Sequence, residues 1–460
     1  MVMIEERRFF GTNGIRFKPG IDFGLDFVIE MAEAIGTYFA KGPILVGYDG
    51  RITSPMIAKA VMAGLMSVGL QVGDAGLLPT PALQYATSKL GYNGSVMITA
   101  SHNPPEYNGI KVMGSDGVEI SREDELKIER IFLEKSIKRA DWRSVGIPQQ
   151  ETKALSTYIQ GILSHVDADL IGSKKFKVVL DLGNGVQSLA APYILERLGC
   201  EVITINSNID GEFSGRGAEP TVETLTGLSK LVKAHNADLG VGYDGDGDRS
   251  IFCDEDGVIH TGDRSGAVIM DYVLSRRPKS LVVTTVSTSQ IIEYIANRYE
   301  SKVVRTRVGS VDVSRKMIEL KALFGIEENG GCFYAPHIPV RDGAMSTALM
   351  LECMARRNQK LSQLIGELPR FYQRKAKFAC PNEFKNQVMK SIERYAEGEV
   401  ERIDGIKLWI DRSSWILLRP SGTEPLIRVF AESDDEKKLE DLISRFSSII
   451  EDSIKKVRGG

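Results

Sequence analysis

The sequence predicts an α/β protein of several domains, in which three successive strand–helix units are followed by a smaller C-terminal α+β unit. Three observations lead there. The chain has 460 residues, which at roughly 100–150 residues per domain is enough for three or four. Short apolar runs alternate with amphipathic segments and restart after glycine-rich turns. Over the last ninety or so residues the pattern changes to consecutive β-rich runs closed by one helix.

In the first unit Phe27, Met31, Ile35 and Tyr38 recur at helical spacing. Ile44–Gly47 reads as a strand ending at Asp49-Gly50. Ser54-Pro55 reads as a helix start, a capping hydroxyl before a proline, and Val61, Leu65 and Val68 continue that helix. Gln71–Asp74 is a second strand, Thr80-Pro81 opens another helix, and Ser95–Thr99 is a buried strand. Such alternation implies a mostly parallel sheet covered on both faces. In the second unit Phe176–Leu182 is a strand, Ala190–Leu198 a helix, and Glu201–Ile205 and Ala237–Gly242 are strands. The third cycle is Ser280–Thr285, Gln290–Tyr299, Lys302–Arg305 and Leu323–Ile326. In the last unit Ile406–Ile410, Ser414–Leu418 and Leu426–Ala431 read as antiparallel strands. A final helix carries Leu439, Leu442, Ile443, Phe446, Ile449 and Ile450. The expected domains are 1–150, 151–256, 257–370 and 371–460.

Composition narrows the function. Lys plus Arg is 58 and Asp plus Glu 61, a net charge of −3, which argues against a nucleic-acid-coating surface. With 42% hydrophobic and 26% charged residues, wholesale disorder is excluded. Glu5, Glu6, Arg7 and Arg8 interrupt any signal-peptide core, and no apolar run is long enough for a membrane span. Cys200, Cys253, Cys332, Cys353 and Cys380 form no CxxC, so buried thiols in a reducing cytoplasm are expected. The other histidines, His165, His235, His260 and His337, lack metal-ligand spacing and read as surface or hydrogen-bonded residues. Trp142, Trp409 and Trp415 read as packing residues, and Lys455-Lys456-Val457-Arg458 as a solvated tail.

Four loops carry chemistry. Thr99-Ala100-Ser101-His102-Asn103-Pro104-Pro105 follows a buried strand, and its prolines stiffen the turn. A hydroxyl there is a plausible nucleophile, with His102 beside it and Lys111 close in sequence. An ordinary serine turn is the competing reading. Asp244-Gly245-Asp246-Gly247-Asp248-Arg249 places three carboxylates at alternate positions, which demands a cation such as Mg²⁺ or Ca²⁺. An EF-hand is rejected, because Arg249 occupies its obligatory glycine position and the loop follows a strand. Glu327-Glu328-Asn329-Gly330-Gly331 offers a carboxylate and an amide to sugar hydroxyls, or is a plain polar turn. Arg419-Pro420-Ser421-Gly422-Thr423-Glu424-Pro425 offers a guanidinium, hydroxyls and backbone N–H groups, a set suited to phosphate.

Taken in order, FGTNGIR, TASHNPPEYNGIK, DGDGDR, EENGG and RPSGTEP resemble the α-D-phosphohexomutase family nearly end to end. The resemblance implies four domains around a central cleft. It implies an intramolecular phosphotransferase of the isomerase class, interconverting hexose 1- and 6-phosphates through a phosphoserine and a hexose 1,6-bisphosphate. By resemblance Ser101 carries the phosphoryl group, and Asp244, Asp246 and Asp248 hold Mg²⁺ together with a Ser101 phosphate oxygen. Arg249 and Arg16 stand beside it, and Lys111 and His102 are candidates for proton handling. Glu327 and Asn329 would hold sugar hydroxyls, and Arg419, Ser421, Gly422 and Thr423 the distal phosphate. The start FGTNGIR is closest to the phosphoglucosamine mutase subgroup, with Asn13 where Asp is common. A dual-specificity phosphomannomutase/phosphoglucomutase is the alternative. Asn329 and Gly331 depart from a common Ser and His, and Val286–Ser289 lacks a lysine found in some relatives. The remaining readings are a sugar-phosphate hydrolase and a non-catalytic sugar-phosphate-binding protein. Small-molecule hexose phosphates are the expected partners, with no nucleic acid and no membrane, in a cytoplasmic monomer or homodimer.

Overall fold

The computed structural model describes residues 8–395, 399–421 and 425–459. The first sheet contains β1 (Ile15–Phe17), β2 (Ile44–Tyr48), β3 (Val72–Leu77), β4 (Gly94–Ile98), β5 (Asn108–Gly114) and β6 (Pro148–Gln150) in the order β1-β5-β4-β2-β3-β6. The second contains β7 (Lys177–Asp181), β8 (Glu201–Ile205), β9 (Leu239–Tyr243) and β10 (Ser250–Cys253) in the order β10-β9-β7-β8. The third contains β11 (Leu281–Thr285), β12 (Lys302–Thr306), β13 (Phe324–Ile326), β14 (Cys332–Tyr334) and β15 (Ile338–Arg341) in the order β12-β11-β13-β14-β15.

One plan underlies all three. A central parallel strand is flanked by the next two, and a fourth strand turns back antiparallel to the third: β5 against β4, β10 against β9, β14 against β13. The apolar parallel strands read clearly in the sequence because both faces are buried. The antiparallel returns did not, since Asn108–Gly114 and Ser250–Cys253 mix polar and apolar residues with no clean alternation.

The fourth unit is an antiparallel sheet of β16 (Tyr372–Ala379), β17 (Glu399–Glu401), β18 (Ile406–Trp409), β19 (Trp415–Pro420) and β20 (Leu426–Ser433), ordered β16-β20-β19-β18-β17. Its own core packs helices Asn382–Glu393 and Glu436–Gly459 on that sheet. A small apolar seam of Val286, Trp415 and Leu417 joins it to the third unit.

Several local expectations are corrected. Ser54 opens its helix but makes no capping bond; its hydroxyl donates to Asp49 instead. The helix expected over 190–198 is a 3₁₀ turn, Val186–Leu189, followed by Ala191–Arg197, with Pro192 in its first turn. Lys455 and Lys456 lie on the last helix, and Val457 packs toward its core, so this run is not a tail. Trp142 is 79% exposed and meets only the Arg143 guanidinium at 4.8 Å among the described contacts, so it is no core packing residue, whereas Trp415 is buried and Trp409 partly so. His337 is buried and stacked on Tyr85 at 4.2 Å. All five cysteines are buried and free.

Candidate active site

Each of the three chemistry-bearing loops of the α/β units occupies the same topological place, the link from a parallel strand to its antiparallel return. Sheet strands end there with their loops free of ladder bonds, where α/β proteins place ligands. Ser101 follows β4 with φ of 51°, a left-handed conformation uncommon for serine. The surroundings enforce it. Its N–H donates to Thr99 Oγ1 at 2.8 Å, and Thr99 Oγ1 donates to Asp49 at 2.6 Å. Arg51, fully buried and paired with Asp49 at 3.1 Å, donates to the carbonyls of Ser101, Asn103, Pro104 and Tyr107. One buried ion pair thus props the whole turn and lifts the hydroxyl out of it.

Ser101 Oγ donates to Asp244 at 2.8 Å, bringing the first two loops together. Close approach explains the glycines of the acidic loop. A Cβ on Gly245 would lie 2.7 Å from the Ser101 carbonyl, and Gly247 has φ of 77°. Asp244, Asp246 and Asp248 are buried and offer oxygens all within 4.8 Å of one another. Burial, then the Asp248 and Asp246 charges, holds the Asp244 carboxyl well above the usual range. Burial also pushes Asp246 upward, but the Lys111 ammonium at 2.7 Å outweighs it and holds Asp246 below the usual range. Asp246 Oδ1 and Asp248 Oδ1 are buried with no hydrogen-bond partner. Hard oxygen donors, like charges and unfilled acceptors fit a hard divalent cation.

Lys111, on β5, reaches Asp246 at 2.7 Å and Asp248 at 3.4 Å. Burial disfavours its charge, yet the two carboxylates prevail and keep it protonated. His102 Nδ1 lies 3.3 Å from Ser101 Oγ. Burial, then Arg249, Arg16, Arg341 and Lys111, pushes its pKa well down, so the imidazole is neutral. Arg249 Nε stands 3.9 Å from both Asp244 and Asp248. Arg16 donates to Asn103, and burial with the nearby Arg249 lowers its pKa to about 10. A serine, three carboxylates and this ring of cations make a pocket for a divalent cation and a phosphate-like anion.

The third loop joins through Arg341, a residue that sequence reasoning missed. Buried Arg341 donates to Asp248 at 2.6 Å and pairs with Glu327 at 3.5 Å. Burial raises the Glu327 pKa, with Arg341 and Arg249 opposing. The Asn329 side chain accepts the Gly331 N–H at 3.1 Å, bracing its own turn. Thr80 is a second omission; its hydroxyl donates to Asp246 at 2.7 Å and its N–H to the Asp246 carbonyl. Arg341 lies in none of the motifs of the sequence and Thr80 read only as a helix start before Pro81, so neither signalled a link to the acidic loop.

The fourth loop is not drawn into this cluster. Arg419 donates to Asp404 at 2.6 Å, and Asp404 also accepts the Val308 N–H at 3.0 Å, so the loop abuts the third unit. Ser421 closes the turn by donating its N–H to Leu426. Gly422 and Thr423 lie outside the described residues.

The arrangement defines an enzyme site built for phosphoryl groups at the meeting of three α/β units. Comparison with known proteins gives the family. Residues 7–139, 156–257 and 261–372 match the phosphoglucomutase/phosphomannomutase α/β/α domains I, II and III, and 376–448 match the C-terminal domain. A phosphoglucosamine/phosphogalactosamine mutase of Sulfurisphaera tokodaii is 44% identical, over 96% of this chain and 99% of that protein. A phosphoglucomutase/phosphomannomutase of Thermococcus kodakarensis is 38% identical, over 97% and 99%. A Burkholderia thailandensis phosphoglucomutase/phosphomannomutase family protein superposes with a TM-score of 0.86 at 25% identity, covering 99% of this chain and 98% of that one. The chain belongs to the phosphoglucomutase/phosphomannomutase (α-D-phosphohexomutase) family of isomerases. No helix among the described residues is long and apolar enough to cross a membrane.

Proposed function

We propose that this phosphohexomutase interconverts hexosamine 1-phosphate and 6-phosphate through a phosphorylated Ser101. The observation that carries the reading is the Ser101 hydroxyl held 2.8 Å from Asp244 at the mouth of a buried three-carboxylate cluster. In the reaction the P–O bond to Ser101 breaks as a substrate hydroxyl oxygen takes the phosphoryl group, giving a hexose 1,6-bisphosphate. After that intermediate turns, its other phosphoryl group returns to Ser101. Phosphoryl transfer asks chiefly for positioning and charge neutralisation. Asp244, Asp246, Asp248 and an oxygen on Ser101 would hold Mg²⁺, which supplies Lewis-acid stabilisation of the transferring group. Arg249 and Arg16 add positive charge beside it. Neutral His102, 3.3 Å from the Ser101 oxygen, orients it and is the group that would take the proton of the attacking hydroxyl, while Lys111 stays charged, neutralises Asp246 and Asp248 and would give a proton to the departing oxygen.

Glu327 and Asn329 would receive the sugar, and Arg419, Ser421, Gly422 and Thr423 the distal phosphate. The domain limits near 150, 257 and 370 place one such loop in each unit. The hexosamine preference rests on the Sulfurisphaera tokodaii relative at 44% identity and on FGTNGIR; the dual glucose/mannose activity printed for the 38% relative is the alternative. A cytoplasmic setting accords with the reduced cysteines.

The test is ³¹P NMR with Mg²⁺, a trace of hexose 1,6-bisphosphate and glucosamine, glucose or mannose 1-phosphate in turn. Conversion to the 6-phosphate, fastest for glucosamine and absent in Ser101→Ala, is expected. Release of inorganic phosphate alone would make the protein a hydrolase, and a mannose or glucose optimum would favour the dual-specificity reading.

A further inference from the structure

Behind the acidic loop the first three units meet at a second depression. A cavity of about 310 Å³ is walled by His165, Tyr272, Arg276, Arg277 and Tyr334. Through Ser164 it adjoins an open groove of about 480 Å³ lined by Tyr85, Lys89 and the polar side chains of Ser156, Thr157 and Gln160. Helix Thr80–Lys89 has its first residue on Asp246 and its last in this groove, so about 14 Å of helix separates the two sites.

The lining has one sign of charge. No carboxylate lines either space among the described residues. Arg276 is paired with Glu352 at 3.4 Å, but Lys89 and Arg277 form no ion pair among the described residues, and Lys89 lies over the Tyr85 ring at 5.3 Å. His165 reports the resulting field: burial, then His337, Lys89 and Arg277, pushes its pKa down to about 4. Of the tyrosines in the walls, Tyr85 and Tyr272 are buried under Lys89 and Arg276, and Tyr334 is partly exposed. Tyr334 meets His165 edge-on at 6.0 Å, and Tyr85 is backed by the stacked His337 ring at 4.2 Å. Unneutralised cations attract a phosphate, a guanidinium and tyrosines favour a planar ring, and hydroxyls suit a ribose. The volume is of the order small-molecule sites use.

We propose that this seam is a second ligand site, separate from the catalytic cleft, that binds a nucleotide. Its phosphate is held by Lys89 and Arg277 and its ring lies against Tyr334. The assignment does not depend on which hexose the enzyme isomerises.

Calorimetric titration of the full-length protein with ADP, with UDP and with inorganic phosphate tests it, each with and without saturating glucose 1,6-bisphosphate. One equivalent of at least one nucleotide is expected to bind, unaffected by the bisphosphate and about tenfold or more tighter than phosphate. The Lys89→Glu/Arg277→Glu variant, altered at two exposed positions, is expected to lose about tenfold or more in affinity with its melting temperature and mutase turnover unchanged. Arg277→Ala is the milder companion should the double charge reversal disturb folding. The proposal is overturned by no saturable binding of either nucleotide, by displacement with bisphosphate, by phosphate binding as tightly as the nucleotides, or by variants of unchanged affinity.

Discussion

Ser101, the proposed phosphoryl carrier, shows how much of such a residue is made by its neighbours. Its left-handed backbone is held by the Asp49–Arg51 pair, which never touches the hydroxyl's own partner Asp244. Replacing Ser101 by alanine should leave this scaffold folded and lower mutase turnover by more than about a thousandfold, read by the ³¹P assay. Lys111 is the counterpart on the acidic side. Lys111→Met leaves Asp246 and Asp248 without their buried cation, which is expected to cost about 3 kcal/mol in metal-free buffer. Added Mg²⁺ should return part of that stability, because it supplies the missing charge. Thermal unfolding with and without Mg²⁺ checks both points: a larger Mg²⁺-induced rise in the variant than in the parent is expected, and equal rises would mean the aspartates hold no cation there.

At the scale of elements, the repeated strand–loop–return unit places Ser101, the acidic loop and Glu327 on equivalent turns of three sheets. The strands leading into these loops were legible because a doubly buried parallel strand is a plain apolar run. The returns β5 and β10 were not, because Asn108, Lys111 and Ser250 interrupt their apolar runs although nearly every residue is buried, and β14 is only three residues long. Lys111 illustrates the loss. Its nearness in sequence to Ser101 was evident, but its direction is set by β5 pairing with β4, where Lys111 stands opposite Met97.

Strand β18 carries a different device. Lys407 is buried, lies over Trp415 at 4.0 Å and Trp409 at 4.8 Å, and donates to the Val286 carbonyl of the third unit at 3.1 Å. Burial first, then Arg305, pushes its pKa down to about 7, with Glu401, Glu293 and Glu432 opposing. Below pH 7 both folded and unfolded chains carry this proton. Above it the folded chain releases the proton while the unfolded chain keeps it until its ordinary value of 10.5. Stability is therefore expected to rise with pH between about 7 and 10, by on the order of 1 kcal/mol per pH unit relative to Lys407→Met. Denaturant unfolding of both proteins across that range measures it. A flat difference would show that the two indole faces hold the ammonium charged.

At the scale of the whole molecule, the fourth unit has a separate core and meets the rest through the Val286–Trp415 seam and a set of polar contacts. These include Lys375–Glu328, Gln373 bridging Asp263 and Glu432 at 2.9 Å each, Gln290 on Glu432 and the Ser413 carbonyl, Lys407 on the Val286 carbonyl and the Val308 N–H on Asp404. Lys375 is half exposed, so its pair with Glu328 is worth little by itself. If Ser101 is phosphorylated and the Arg419 loop holds the distal phosphate, as proposed, the bisphosphate must turn between half-reactions, which favours a fourth unit that moves about a hinge near residue 370. Small-angle scattering is expected to show a smaller radius of gyration with glucose 1,6-bisphosphate than without. Identical profiles would rule that movement out.

The sequence by itself determined the strand–helix order, the family, and the loops that hold Ser101, the three aspartates, Glu327 and Arg419. Contiguous motifs survive in the sequence because glycines and prolines must sit beside the reacting groups wherever backbones approach closely. Tertiary structure alone decided that Arg341 and Thr80 clasp the acidic loop and that Asp49 and Arg51 hold the serine turn. It also placed Lys111 between two carboxylates and brought Lys89 of the first unit and Arg276 and Arg277 of the third to the seam at the far end of helix Thr80–Lys89. The reason is physical: charge neutralisation in a buried site depends on distance in space, and residues 50 to 166 positions apart in the chain reach that distance only after the sheets have packed.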